Sequence, residues 1–344
     1  MDLKQVLIDF TNVLGASGSE FSASELFEER IKPFADETEK DAFANVCAIK
    51  RSGKKDAPLL MLDAHIDQLA MMVSDITEDG FVRFIAPGFD PRQLYGADVT
   101  LVTRNAERIP GIVTTIPIEL QYERVTKTIP VRELSVDLGL PADRVKKLVA
   151  VGDPVYYANE TCELADGTLA GRAFDDRAGV AAILYAAEKL KDERLNCDVL
   201  YCATAREEVG GPGAAIVAYK YEPLLAVVLD GTHAKCHVYS GADAFEFGDG
   251  VIIGMGDHSS PRFARMFAEI ARAKEIPHKI QPIPAHSKTN AARIQYAGKG
   301  VETVVLSFPM RYAHSPVEMV CEKDVENLAK LLTDFAKIYD GGVR

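Results

Sequence analysis

The sequence predicts an α/β fold, a sheet with helices on both faces, interrupted by a small β-rich insertion. Three observations predict it. Apolar runs of strand length at 58–67, 198–205, 224–230 and 303–309 are continuous rather than alternating, as strands covered on both faces require. Segments of helical spacing alternate with them from residue 168 onward, which is the rhythm of an α/β sheet. Between 69 and 164 the texture changes to short β-type runs separated by Asp-Gly and Pro-Gly turn signals, as in a small barrel.

In chain order, Leu3, Val6, Leu7, Phe10 and Leu14 recur at helical spacing, and Gly15 with Gly18 stops that helix. A second helix over 22–34 precedes strands at 45–50 and 58–67. Inside the insertion, 71–76, 81–85, 99–103, 109–115 and 154–158 read as strands and 142–149 as a helix. Helices over 177–190, 260–274 and 321–339 follow, the last two with the apolar stripe of plain core packing. Residues 1–68 and 165–344 thus form one α/β domain, and 69–164 an inserted β-rich domain.

The composition bounds the partners. A chain of 344 residues, 47% hydrophobic and 26% charged, can bury a full core. Its net charge of -12 argues against a nucleic-acid backbone or an anionic membrane as partner, since both need a basic footprint. The six cysteines lack C-x-x-C spacing and several fall in apolar runs, so they read as buried thiols in a reducing compartment. No apolar run reaches the roughly 18 residues of a membrane helix, and the N-terminus opens an amphipathic helix rather than a signal peptide. A cytoplasmic location is expected.

The chemistry gathers at element ends. The run 198–205 meets Glu207 and Glu208 and then Gly210-Gly211, so two adjacent carboxylates sit at a strand's end, where open α/β sheets bind ligands. Adjacent carboxylates repel unless a cation or a moving proton lies beside them. His65-Ile66-Asp67 ends another strand, Asp230 a third, and His314 follows a fourth, while Asp175-Asp176 precede a helix. Two histidines and at least three carboxylates so placed are a ligand set for two divalent metals. The residues leave two points open: one of Asp175 and Asp176 is expected to cap the helix, and His314 could cap the turn before Ser315-Pro316.

His65-Ile66-Asp67, Ala173-Phe174-Asp175-Asp176-Arg177, Glu207-Glu208-Val209-Gly210, Leu229-Asp230 and Arg311-Tyr312-Ala313-His314-Ser315-Pro316 resemble, in order and spacing, the co-catalytic metallo-aminopeptidases of the glutamyl and tetrahedral aminopeptidase type. The resemblance spans nearly the whole chain. It implies a phosphorylase/hydrolase-like peptidase domain with an inserted barrel-like dimerisation domain, removing N-terminal residues from peptides with two metal ions, zinc or cobalt. It also implies roles: His65 on one metal, Asp175 bridging both, Asp230 and Glu208 completing the set, His314 on the other metal, Glu207 as general base, and Asp67 fixing the tautomer of His65. Peptide substrates and a homo-oligomer, from dimer up to hollow dodecamer, follow from the same resemblance.

Two stretches depart from that pattern. Gln68 stands where the family carries Glu, and Ser287-Lys288-Thr289-Asn290-Ala291 where it carries Gly-Gly-Thr-Asp-Ala. Both put an amide in place of a carboxylate near the family's substrate pocket, and Lys288 becomes a candidate cation favouring acidic first residues. The alternatives are a related dinuclear carboxypeptidase or N-deacylase, or a member of weakened peptidase activity.

Overall fold

The computed structural model describes residues 1–116, 119, 128–241, 243–283 and 288–342. Pro117 and Ile118 lie outside the described residues, as do His286 and Ser287. By its contacts the chain divides into two compact units: Met1–Gln68, Thr161–Ala313 and Glu318–Arg344 form one, Leu69–Glu160 with His314–Val317 the other.

The first unit is built on a sheet that has eleven strands among the described residues. At its centre the strand Leu59–His65 pairs in parallel with Asp198–Thr204 on one side and Leu225–His233 on the other, and Glu302–Arg311 continues in parallel beyond. The chain leaves Leu59–His65 and returns first to one flank and then to the other. The loops after these strands therefore diverge, which opens a crevice at the carboxyl ends. Strands Val251–Gly256 and His278–Ile283 pair in parallel off the main path; the first is largely buried, the second largely exposed and of mixed residues that carry no clean strand signal.

Alternation along the strands fixes both faces. Leu60, Leu62, Ala64, Val199, Tyr201, Ala203, Val227 and Leu229 pack with helices Leu3–Asn12, Phe21–Ile31, Phe174–Leu190 and Glu322–Ile338 in one core. Met61, Leu200, Cys202, Ala226 and Val228 pack on the other face with helices Pro212–Tyr221 and Ala291–Ile294. Each fully buried Leu or Val contributes roughly 1.5–3 kcal/mol. Because the period is two, Asp63, His65, Thr204 and Asp230 share the second face.

The helix Phe174–Leu190 settles which aspartate caps it. Asp175 (φ -79, ψ 106) and Asp176 (φ -115, ψ 36) are not helical, and Asp176 Oδ1 accepts from Gly179 N at 3.2 Å. Asp176 is the cap, three residues before its donor. Arg177 follows, fully buried, and its guanidinium donates to the carbonyls of Ile66 (3.1 Å), Phe10 (2.7 Å), Val13 and Gly15 (3.5 Å). It satisfies the orphan carbonyls at the end of the first helix.

Among the described residues, the second unit is a closed six-stranded barrel in the order Met71–Ile76, Val82–Ile85, Val136–Asp137, Arg108–Val113, Asp98–Val102, Pro154–Tyr157. Met71, Val73, Val82, Phe84, Val99, Leu101, Val113 and Val155 fill it. Val136–Asp137 was not foreseen, since two residues carry no periodicity. Outside, Met72 faces Ile85 across one strand pair, and both are exposed, as is Ile112.

Candidate active site

The sheet register brings candidate ligands together. Thr204 pairs with His65, and Val228 with Asp63, so two residues on Asp230 stands level with His65. His65 Nε2 lies 3.2 Å from Asp175 Oδ1, and the ligand atoms of His65, Asp175 and Asp230 all lie within 4.8 Å of one another. Asp175, Glu208 and His314 form a second group within the same limit. Every metal ligand expected from the sequence is in one of these two groups, and Asp175 is in both.

Asp67 does more than was expected of it. His65 Nδ1 is 3.1 Å from the Asp67 backbone carbonyl and 3.5 Å from its carboxylate. A carbonyl only accepts, so it favours the proton on Nδ1 and leaves the Nε2 lone pair facing Asp175. The Asp67 carboxylate, completely buried, is spent elsewhere: Oδ1 accepts from Glu207 N at 2.9 Å, and Oδ2 from Glu208 N at 3.2 Å and Ser17 Oγ at 2.6 Å. It holds the turn that carries both glutamates. Arg293 braces the same turn further along, donating from Nε to the Gly210 carbonyl at 2.7 Å.

Non-glycine residues at positive φ mark three of the motifs: Ala173 (φ 62) before Asp175, Arg206 (φ 64) before Glu207, and His314 itself (φ 60). Such conformations cost on the order of 1 kcal/mol or more and persist where the surroundings impose them.

The electrostatics call for a cation. Burial alone would lower the pKa of His65, but hydrogen bonds to the Asp175 and Asp67 carboxylates and the charges of Asp67 and Glu207 hold it well above the usual imidazole range. Burial, then the charges of Asp175 and Asp176, push Asp230 well above the carboxylate range. Burial pushes Glu207 up to about 7, against the pull of His65 and with the help of Asp67 and Asp175. Asp67 goes the other way: burial would raise it, but His65, Ser17 and the Glu207 N–H outweigh that. Asp230 and Glu207 pushed up by burial and neighbouring carboxylates, and an imidazole held up by the same negative charge, mark a site short of positive charge. Its donors, imidazole nitrogen and carboxylate oxygen, are those divalent zinc-like ions take.

The two departures from the family pattern turn inward. Asn290, 2% exposed, gives Nδ2 to Asp63 Oδ2 (2.9 Å) and Thr204 Oγ1 (3.0 Å), and Gln68, also buried, accepts from Arg172 Nη1 at 3.1 Å. The carboxyl group that the Asn290 amide faces is thus the buried Asp63. Lys288 is exposed. The sequence reading missed Ser17, Asp63 and Arg293; in Gly15-Ala16-Ser17-Gly18-Ser19-Glu20 it took only the helix stop, although so polar a loop beside two strand ends was the available signal.

A doubly covered parallel sheet whose carboxyl ends gather imidazole and carboxylates around shared positions defines the class, that of metal-dependent α/β peptidases. The chain belongs to the M42 glutamyl aminopeptidase family, whose profile matches residues 44–331, and it is a peptide hydrolase. It is 30% identical over 323 residues to a lysyl aminopeptidase of Pyrococcus furiosus, covering 92% of each chain. Among solved structures it resembles an aminopeptidase from the archaeon Desulfurococcus kamchatkensis (TM-score 0.91, 30% identity, 98% of this chain and 95% of that one). It likewise resembles the TET1 peptidase of Pyrococcus horikoshii, which can assemble into a tetrahedron or a large octahedral shell (TM-score 0.86, 30% identity, 98% of this chain and 100% of that one).

Proposed function

We propose that the protein removes N-terminal residues from peptides at a dinuclear centre of divalent metal ions, with His65 and Asp230 at one position, Glu208 and His314 at the other, Asp175 shared, and Glu207 as general base. The observation that carries this reading is the pair of ligand groups, each within 4.8 Å, that have Asp175 in common. When bound, two divalent ions, zinc or cobalt by resemblance, supply Lewis acidity and a water acidic enough to attack near neutral pH. Glu207, in neither ligand group, takes the proton of the attacking water and gives it to the leaving amine. Asp67 fixes where Glu207 can reach by holding its backbone N–H. The surrounding carboxylates attract the ammonium of a free peptide N-terminus, which favours an aminopeptidase over the related carboxypeptidase or N-deacylase.

Paired peptides with free and blocked amines test this, before and after chelation and reloading with zinc or cobalt. Turnover of the free-amine peptide alone, lost on chelation and regained on reloading, is expected; equal turnover of the blocked peptide overturns it. We propose also that the barrel unit joins copies of the chain, since Met72, Ile85 and Ile112 present an apolar outer face to water. Light scattering should report a dimer or larger, and a monomer would contradict it.

A further inference from the structure

The loop between the first two helices reaches the site through one side chain. Ala16 bridges to Gln68, Gln68 N donates to the Gly15 carbonyl at 3.0 Å, and Gly18 N donates to Glu20 Oε1 at 2.7 Å, so the loop is fixed on both sides of Ser17. From there Ser17 Oγ donates to Asp67 Oδ2 at 2.6 Å. The same oxygen accepts from Glu208 N at the longer 3.2 Å, and Oδ1 from Glu207 N at 2.9 Å. Each carboxylate oxygen thus holds one glutamate's backbone, and both can be held only at one rotation of the carboxylate. The hydroxyl makes the shortest of these three bonds and comes from a separate element, the loop between the first two helices. An O–H donor to a carboxylate at this length is a strong, charge-assisted bond.

We propose that Ser17 is a positioning residue for the reaction: its hydroxyl sets the rotation of the Asp67 carboxylate, and through it the placement of the turn carrying Glu207 and Glu208. Ser17 is in neither ligand group and acts through Asp67. The inference rests on Glu207 being the base, so the test separates the two ideas.

Ser17→Ala, Ser17→Thr, Glu207→Gln and the double variant Ser17→Ala/Glu207→Gln are compared at saturating metal, with melting temperature recorded. Residues that orient a metal site's groups typically contribute 10- to 100-fold. Ser17→Ala should lower kcat by about that factor with KM changed less than about 2-fold. Ser17→Thr, which keeps the hydroxyl, should recover most of the loss. In the Glu207→Gln background Ser17→Ala should cost almost nothing more, because the group it positions is gone. Unchanged kcat in Ser17→Ala, no recovery in Ser17→Thr, or the same fold-loss in both backgrounds would overturn the inference. High activity in Glu207→Gln alone would overturn the general-base reading and leave the Ser17→Ala and Ser17→Thr comparison to judge Ser17.

Discussion

Two pairs of adjacent carboxylates, Asp175-Asp176 and Glu207-Glu208, sit where a strand hands over to a helix, and the fold uses them differently. In the first pair Asp176 is completely buried and accepts from Gly179 N and His65 N, while Asp175 stands 3.2 Å from His65 Nε2. One member is structure and the other is available for chemistry. In the second pair Asp67 takes both backbone N–H groups, so both side chains are left half-buried and turned to other work. Adjacency therefore says little about role; what decides it is which carboxylates the backbone's donors have consumed.

Substitution within the first pair gives the largest effects. Asp175→Ala should cost the metal and on the order of 1,000-fold or more in turnover, because it removes the ligand shared by both groups. Asp176→Ala should instead lower stability by about 1–3 kcal/mol, through an uncapped helix and an unsatisfied buried N–H at His65. Metal analysis and denaturant unfolding on both variants decide it, and exchanged outcomes would break the comparison.

Asp324 sharpens the comparison at a distance from the ligands. It too is buried with both oxygens on backbone donors, Gly248 N (2.8 Å) and Gly250 N (2.9 Å), and burial raises its pKa to about 6. The folded chain holds this proton more tightly than the unfolded one. Its contribution is therefore complete below about pH 4, the usual carboxylate value, and is lost as pH rises to about 6, by at most about 3 kcal/mol. Unfolding of the chelated protein from pH 4 to 7 should show that decline, and Asp324→Asn should flatten it.

Asn290 gives an effect on stability alone. Asn290→Asp would set a carboxylate against buried Asp63 in place of a donated hydrogen bond, and should cost about 1–3 kcal/mol with metal content unchanged. Increased stability would show that the amide is not there for Asp63. Thermal unfolding decides it.

The sheet and the convergence of the candidate ligands were legible because continuous apolar runs announce doubly covered strands, and a chemical group at the end of each run is already at the crevice. His65, Asp230 and Glu207-Glu208 needed no more than that. The roles of Asp67, Ser17 and Asn290 were not legible, because each is fixed by a hydrogen bond to a residue between 50 and 227 positions away in the chain. No local pattern reports such a bond. The choice between Asp175 and Asp176 was hidden for a related reason: both can cap a helix, and backbone angles rather than residue type decide which one does.

The central claim is that Glu207 moves protons while Glu208 holds metal. Metal content and turnover of Glu207→Gln and Glu208→Gln, measured side by side on reloaded protein, test it most directly. Glu207→Gln should keep two ions per chain and lose about 100- to 10,000-fold in kcat, whereas Glu208→Gln should fall below two ions per chain. A Glu207→Gln variant that keeps most of its activity, or a Glu208→Gln variant that still binds two ions, would contradict it.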